Sequence, residues 1–525
     1  REGPGMAVGD IDNNGLEDLV IGNGRKAGTA IFKQTETGSF IKSVLNDTTD
    51  TEDAGSILFD YDNDQDLDLY IASGSSEFPK YSGHFKDRLF NNDGSGVFTV
   101  DTYALPPDSV SGSVVTAGDF DRDGDLDLFV GGRLIPQTYP FPEKSSLLRN
   151  DKGKFTDVTA SLCRELTQAG LVTSALWTDY NQDGWIDLMI AGEWMPIRVF
   201  KNSQGKFAEV TEDVGLAGTG GWWRSIVSAD FDLDGDLDYI AGNQGLNIWY
   251  KPLPGTPVYI NAGDFDNNGN KDFVISAFLD GDYYPVHLRF ELFSQLPYLQ
   301  RKYPTFHEYA HATTSDIFPA NVLKAGYQSE SNIFESIILI NYGSGAFDIN
   351  ALPFEAQFAP VFGMLPGDFN GDHLPDVLLV GNDYGMESFI GKSDAFVGLL
   401  LAGKGNCEFV PVPAAQSGFD VDGDARSLVG LNDKRGNSMV IAAQNNAPLR
   451  IFRINQSRVK TAKLIPQLYD RAVRIFYNDG KVEVRELHYG SGYLSQTSRM
   501  TDVDTTIVER IEIIDYSGKT RRHTF

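Results

Sequence analysis

Cysteine is nearly absent. Cys163 and Cys407 are the only two in 525 residues, so no disulfide framework can staple this chain, and the count leaves its compartment open. No run of about 18 apolar residues occurs, which excludes a membrane-spanning helix. Basic residues are scarce: 44 against 73 acidic ones, a formal net charge of −29. A chain this acidic lacks the basic patches that grip a phosphate backbone, so nucleic acid is excluded as a partner. Seven histidines leave few bases for nucleophilic catalysis, and no Ser-His-Asp or Cys-His arrangement can be located. With 41% hydrophobic and 12% aromatic residues the composition is that of a folded chain rather than a disordered one. The length allows one to four domains and a sizeable core. The chain enters a strand-like run at Met6-Ala7-Val8 almost at once, with no leader visible, and is expected to be a mature or trimmed piece.

What is present in excess is glycine, 54 residues, and a repeated pattern. A short apolar run, an Asp-rich loop of nine residues and a second apolar run recur seven times, with loops starting at Asp10, Asp60, Asp119, Asp179, Asp230, Asp264 and Asp368. An eighth unit, Ser427–Leu431 and Met439–Ala442, lacks the acids. After most loops come two further strand-like runs joined by Asn/Asp/Gly/Ser turns, as in Arg198–Asn202 and Lys206–Val210, which are hairpin signals. Four short strands per unit, with most starts 50 to 60 residues apart, is the arithmetic of a propeller blade. The expected fold is all-β: a propeller of seven or eight blades over residues 1–455, the count of units favouring eight. An insertion of helical character at about 280–335 interrupts it and is expected to cap one face. A small β-domain over 456–525 follows, with period-two runs such as Ala472–Tyr477 and Val482–Leu487 around an Asn478-Asp479-Gly480 turn.

Positions 1, 3, 5 and 9 of the loops carry acids or amides, and position 7 can offer a backbone carbonyl. The sets are Asp10, Asp12, Asn14, Leu16 and Asp18; Asp60, Asp62, Asp64, Asp66 and Asp68; Asp119, Asp121, Asp123, Asp125 and Asp127. They continue with Asp179, Asn181, Asp183, Trp185 and Asp187; Asp230, Asp232, Asp234, Asp236 and Asp238; Asp264, Asp266, Asn268, Asn270 and Asp272; and Asp368, Asn370, Asp372, Leu374 and Asp376. Glycine supplies a positive-φ turn at position 6 of five loops, while Gln65 and His373 take that place in the other two. Alternate oxygens around a tight turn suit calcium, which takes six to eight such ligands, better than zinc or copper. Three or four carboxylates packed together repel unless a cation neutralises them, and up to seven calcium ions would move the formal charge from −29 to −15. Asx turns without metal are the alternative.

These loops and their flanking strands resemble the FG-GAP/VCBS repeats of integrin-type propellers. Val484-Arg485-Glu486-Leu487-His488-Tyr489-Gly490-Ser491-Gly492-Tyr493-Leu494-Ser495-Gln496 resembles the ASPIC/UnbV domain that follows such repeats in the cartilage acidic protein family. Gly192–Pro196, Gly221–Ser225 and Ala443–Asn446 are similar to strings in large Bacteroidetes VCBS-repeat surface lipoproteins. The resemblance implies a calcium-binding propeller at the bacterial cell surface. It further implies an anchor through an upstream lipoprotein segment, with this chain as the C-terminal half of a longer protein. Protein partners at the outer membrane, beside nutrient-import machinery, are implied too.

Two other signals compete. His307-Glu308-Tyr309-Ala310-His311 matches the zincin pattern, with Glu330 or Glu335 as a third ligand; a solvated helix is the bland reading. Trp222 and Trp223 are adjacent, so on a strand both rings cannot point inward. With Arg224, His287 and Arg289 they are candidates for contact with a glycan or peptide ligand. The sequence therefore favours a calcium-stabilised binding or scaffold module over an enzyme. A zinc peptidase, a glycan-active propeller and an integrin-like adhesion protein are the alternatives.

Overall fold

A computed structural model describes residues 3–45, 50–107, 109–343, 345–386, 391–454 and 461–523. Strands take up 43% of the chain and helices 9%, so the protein is all-β. The first sheet is an antiparallel meander of Met6–Gly9, Asp18–Ile21, Ala30–Gln34 and Phe40–Val44. Meanders of the same kind span 53–101, 112–157, 171–209 and 361–412, and a three-stranded one spans 425–453. Their first two strands are buried along nearly their whole length. This is why they read as continuous apolar runs rather than alternating ones. Each packs both faces against neighbouring sheets, through clusters such as Leu176, Ile226, Tyr239 and Leu339.

The sheet that begins at Ser225–Ala229 is discontinuous. Its second strand, Asp238–Gly242, pairs with Ile337–Asn341, which pairs with Phe347–Ala351. The short interval between the loops at Asp230 and Asp264 follows from this: the missing half of that sheet is supplied after the excursion. The excursion carries its own sheet, in the order Asp282–Pro285, Asp272–Leu279, Val258–Gly263 and Tyr327–Ser331. Five short helices between Arg289 and Ala325 accompany it, packed through Leu292, Leu296, Leu299 and Phe318 onto Val274.

First strands touch in chain order. Met6–Gly9 meets Asp53–Phe59, which meets Gly112–Gly118, then Leu171–Thr178, Ser225–Ala229, Val361–Gly367 and Ala425–Asn432. The last returns to Met6–Gly9. Seven sheets thus form a closed ring of contacts, and the inserted sheet with the Asp264 loop lies outside it.

The boundary expected at 455/456 lies outside the described residues. Beyond it, Asp470–Tyr477 pairs with Val482–Glu486 and with Val508–Asp515, and Thr461–Leu464 pairs with Thr501–Asp504. The stretch His488–Ser498 leaves this unit and runs along the inner strands of the ring. Ser228 Oγ lies 2.9 Å from His488 Nε2, and Thr116 Oγ1 donates to the Tyr489 carbonyl at 2.8 Å. Ser174 Oγ donates to the Gly492 carbonyl at 2.7 Å, and the Phe362 ring meets Tyr493 edge-on at 5.0 Å. The amides of Val8, Leu58 and Gly430 donate to Gln496 O, Gln496 Oε1 and Thr497 Oγ1. One peptide segment therefore touches all seven first strands.

Candidate metal centres

In six of the seven ring sheets the Asp-rich loop joins the first strand to the second, so the loops gather at one end of the ring. One hydrogen-bond scheme builds them. The position-1 carboxylate accepts from the backbone amide at position 6 and, in all but the Asp179 loop, from one at position 4 or 5: Asp119 from Asp123 at 3.2 Å and Gly124 at 3.1 Å, Asp230 from Asp234 at 3.1 Å and Gly235 at 3.0 Å, Asp60 from Asn63 at 2.7 Å and Gln65 at 3.1 Å. The position-9 carboxylate accepts at one oxygen from the amide of position 2, as Asp127 does from Phe120 at 3.1 Å. Its other oxygen accepts from the third strand, as Asp68 does from Asn92 at 2.8 Å and Asp127 from Asn150 at 2.8 Å. Position 6 is left-handed throughout, including Gln65 at φ +76° and His373 at φ +65°, where L side chains are disfavoured.

Carboxylate oxygens converge in these loops. Those of Asp10, Asp12 and Asp18 lie within 4.8 Å of one another, as do those of Asp60, Asp62, Asp64 and Asp68, of Asp119, Asp121 and Asp127, and of Asp230, Asp232 and Asp234. The Oδ1 atoms of Asp12, Asp62 and Asp232, all at position 3, are buried without a hydrogen-bond partner, an arrangement costly to maintain unless a ligand meets them. Burial, reinforced by neighbouring acids, pushes Asp18 up to about 7, Asp68 to about 8, Asp119 to about 7 and Asp230 to about 8. The donor set is oxygen-only in the first three loops, and it fits a hard divalent cation.

The loops are not equivalent. In the fourth, the Arg471 guanidinium sits 3.1 Å from Asp179 and 3.2 Å from the Gly184 carbonyl, while Asn181 donates to Asp187. Trp185, at position 7, lies under the Arg122 guanidinium at 3.8 Å. Position-7 acids face adjacent loops: Asp125 accepts from Asn63 at 2.5 Å and Lys152 N at 2.8 Å, and Asp236 accepts from Gln182. The loop at Asp368 has its His373 ring 3.5 Å from Asp504. The inserted loop repeats the scheme, with Asp264 accepting from Asn268 and Gly269 at 2.9 Å.

The C-terminal unit covers this end of the ring. Besides Arg471 and Asp504, Val484 N donates to Asp230, Glu486 accepts from Asp179 N, and Ser498 donates to Glu17. Between this unit and the fifth to seventh sheets lies a cavity of about 350 Å³, walled by Met364, Leu428 and Ile475, with Ser228, Glu486 and His488 among its polar groups.

A set of residues that the sequence reading passed over joins the loops laterally. Asn92, Asn150 and Asn202 end third strands, and each side-chain amide donates to the position-2 carbonyl of the preceding sheet's loop, at 2.7–2.8 Å, and to its own loop. Asn341 donates to Tyr180 O in the same way. The signal was available: Asn recurs at the strand end before four of these hairpins.

The expected ligand face around Trp222 is not a free face. Trp222 and Trp223 are both buried. Adjacent strand residues do point to opposite sides, but the excursion covers the outer ring, so Trp222 packs on Trp194, Tyr250 and Phe334 while Trp223 sits between sheets. Arg224 pairs with Glu193. His287 Nε2 accepts from Ile275 N at 3.0 Å, and burial pulls that imidazole down to about 4. Arg289 donates to the Tyr303 and Pro304 carbonyls and stacks on Phe293. At the zincin-like string, His307 and His311 are exposed with ring centroids 4.5 Å apart. Glu308 turns back to cap its own helix, accepting from Thr305 N and Oγ1 at 2.8 Å.

The FG-GAP-like repeat family matches residues 60–130 and 179–241, which span the second, third and fourth sheets' loops and that at Asp230. The chain carries FG-GAP-like repeats. No curated protein matches it. Among solved structures it is similar to BBS1N in complex with ARL6DN, at 11% identity and a TM-score of 0.41, over 87% of this chain and 94% of that one. The Vibrio cholerae biofilm matrix protein Bap1 is similar at 10% identity and a TM-score of 0.34, over 86% and 88%. A rhamnogalacturonan lyase of Bacillus licheniformis follows at 12% and 0.28, over 53% and 65%. These likenesses are too distant to carry function across. Among the described residues no helix is long and apolar enough to cross a membrane.

Proposed function

We propose that this chain is a calcium-stabilised, seven-bladed propeller that serves as an extracytoplasmic binding or scaffold module. The observation that carries the reading is the repetition of one carboxylate arrangement at one end of the ring, with the position-3 oxygens of Asp12, Asp62 and Asp232 buried and unpartnered. A bound dication would satisfy those oxygens and offset the burial, and with it the lesser mutual repulsion, that raise the Asp18, Asp68 and Asp119 carboxyls. Millimolar calcium outside the cytoplasm matches loops of this design. FG-GAP-like repeats are at home in extracellular proteins, and the resemblance to surface repeat proteins supports an outer-membrane nutrient-import complex as the setting. The ASPIC/UnbV-like unit belongs, in this reading, to the scaffold: it covers the loops and fills the axis. Elemental analysis of the purified chain tests the first step, with several calcium ions per chain expected. Co-purification with a β-barrel transporter from native membranes tests the second. A chain devoid of calcium, or one recovered from membranes only by itself, removes the corresponding step.

A further inference from the structure

One loop differs from its siblings in a way that changes its donor chemistry. In the second, third, fourth and sixth sheets the hairpin before the fourth strand abuts the Asp-rich loop of the preceding sheet. Two residues ahead of Phe98, Phe155, Phe207 and Phe347 the hairpins have Gly96, Gly153, Gly205 and Gly345, all at positive φ. A Cβ at Gly153 would meet the Asp62 Cβ at 3.2 Å, and one at Gly205 the Asp121 Cβ at 3.2 Å, so in the third and fourth sheets this step faces position 3 of the neighbouring loop, whereas at Gly96 it meets Lys33 and Ile11 and at Gly345 open space. In the sixth sheet the same step, two residues before Phe409, is Cys407, held at φ +59°. Its side chain enters the loop at Asp230–Asp238, as the corresponding steps of the third and fourth sheets face theirs. Cys407 is 6% exposed, and its Sγ is 3.2 Å from Asp238 Oδ2.

The ligand atoms of Asp232, Asp238 and Cys407 lie within 4.8 Å of one another. In the first and third loops the position-9 carboxylate clusters with positions 1 and 3; here it clusters with position 3 and a sulfur. Independently, Asp232 Oδ1 is buried and has no hydrogen-bond partner, so a donor atom of this set is held without anything to bind. Thiolate is a poor ligand for calcium and a good one for zinc-class cations, which accept mixed sulfur and carboxylate donors in four-coordinate sites.

We propose that this loop holds a thiophilic divalent cation of the zinc class through Asp232, Asp238 and Cys407, with water completing its shell. On binding, the Cys407 S–H proton passes to solvent as the sulfur–metal bond forms. The inference rests on the reading of the Asp-rich loops as cation sites, and makes one of them different in kind.

The test uses the full chain, stripped with chelator, reloaded with excess calcium and then titrated with cadmium. The expected result is one equivalent of tightly bound cadmium with a sulfur-to-cadmium charge-transfer band in the ultraviolet. The band is lost in Cys407→Ser and kept in Cys163→Ser. Should Cys407→Ser fail to fold, zinc-edge absorption on the wild-type protein replaces it and should show one sulfur neighbour at about 2.3 Å. Calcium retained by the chain with no thiolate band, or no sulfur neighbour, overturns this inference alone. A chain that takes up neither calcium nor cadmium overturns it together with the reading beneath it.

Discussion

Gln65 occupies a left-handed backbone position that glycine takes in five sibling loops, and its side chain is exposed. Replacing it by glycine removes the steric cost of φ +76° and sacrifices no buried contact. Gln65→Gly should stabilise the protein by about 0.5–1 kcal/mol, read as a higher denaturant midpoint; an unchanged or lower midpoint would argue against backbone strain there. Asn150 is the opposite case. It is fully buried and ties the Tyr61 and Leu126 carbonyls to its own hairpin. Asn150→Ala leaves those acceptors unmet and should cost about 1–3 kcal/mol, whereas exposed Asp151→Ala next to it should change little. The nine-residue register was legible because every loop needs oxygens at the same steps. The Asn ties were equally repetitive but read only as turn residues, since their partners belong to another sheet. Cys407 was opaque for the same reason: its neighbours are about 170 residues earlier in the chain, at Asp238.

Each Asp-rich loop is a unit whose charge must be neutralised. Without metal, burial and mutual repulsion raise Asp18, Asp68 and Asp230 above their ordinary value. The folded state then binds more protons than the unfolded one between about pH 4 and pH 8, so stability falls as pH rises through that window. Metal-stripped protein should therefore melt higher near pH 5 than near pH 8, with calcium reversing the order; a stripped protein most stable at the alkaline end would contradict the carboxylate clustering. Loops differ by place as well. Asp119 is buried inside the ring and Asp264 sits on the excursion outside it, so Asp119→Ala should lower the melting temperature more than Asp264→Ala. The excursion itself was legible as an interruption but not in extent. Its pairing begins at Val258, well before the helical strings that betray it, and it buries Trp194 and Trp222, a covering that neighbours along the chain could not reveal.

At the scale of the whole molecule the ring, its axis and its loop end are one construction. The segment His488–Ser498 has no strand periodicity that would reveal its place; only the closed ring gives it seven partners. Removing residues 461–525 should consequently unfold the ring at a clearly lower temperature rather than release an intact propeller, as calorimetry of the truncated chain would show. Counting units in the sequence favours eight because the inserted sheet copies the loop chemistry, whereas seven sheets share the ring of contacts. Cations bound in the loops are proposed to hold this assembly together. Melting the metal-stripped chain with and without millimolar calcium, with elemental analysis of the same samples, decides the matter. Ligands that bind only the folded state add about 2.7 kcal/mol per site at a hundredfold excess over Kd, so several calcium ions per chain and a melting temperature higher by many degrees are expected. Identical melting curves with no calcium retained would contradict this.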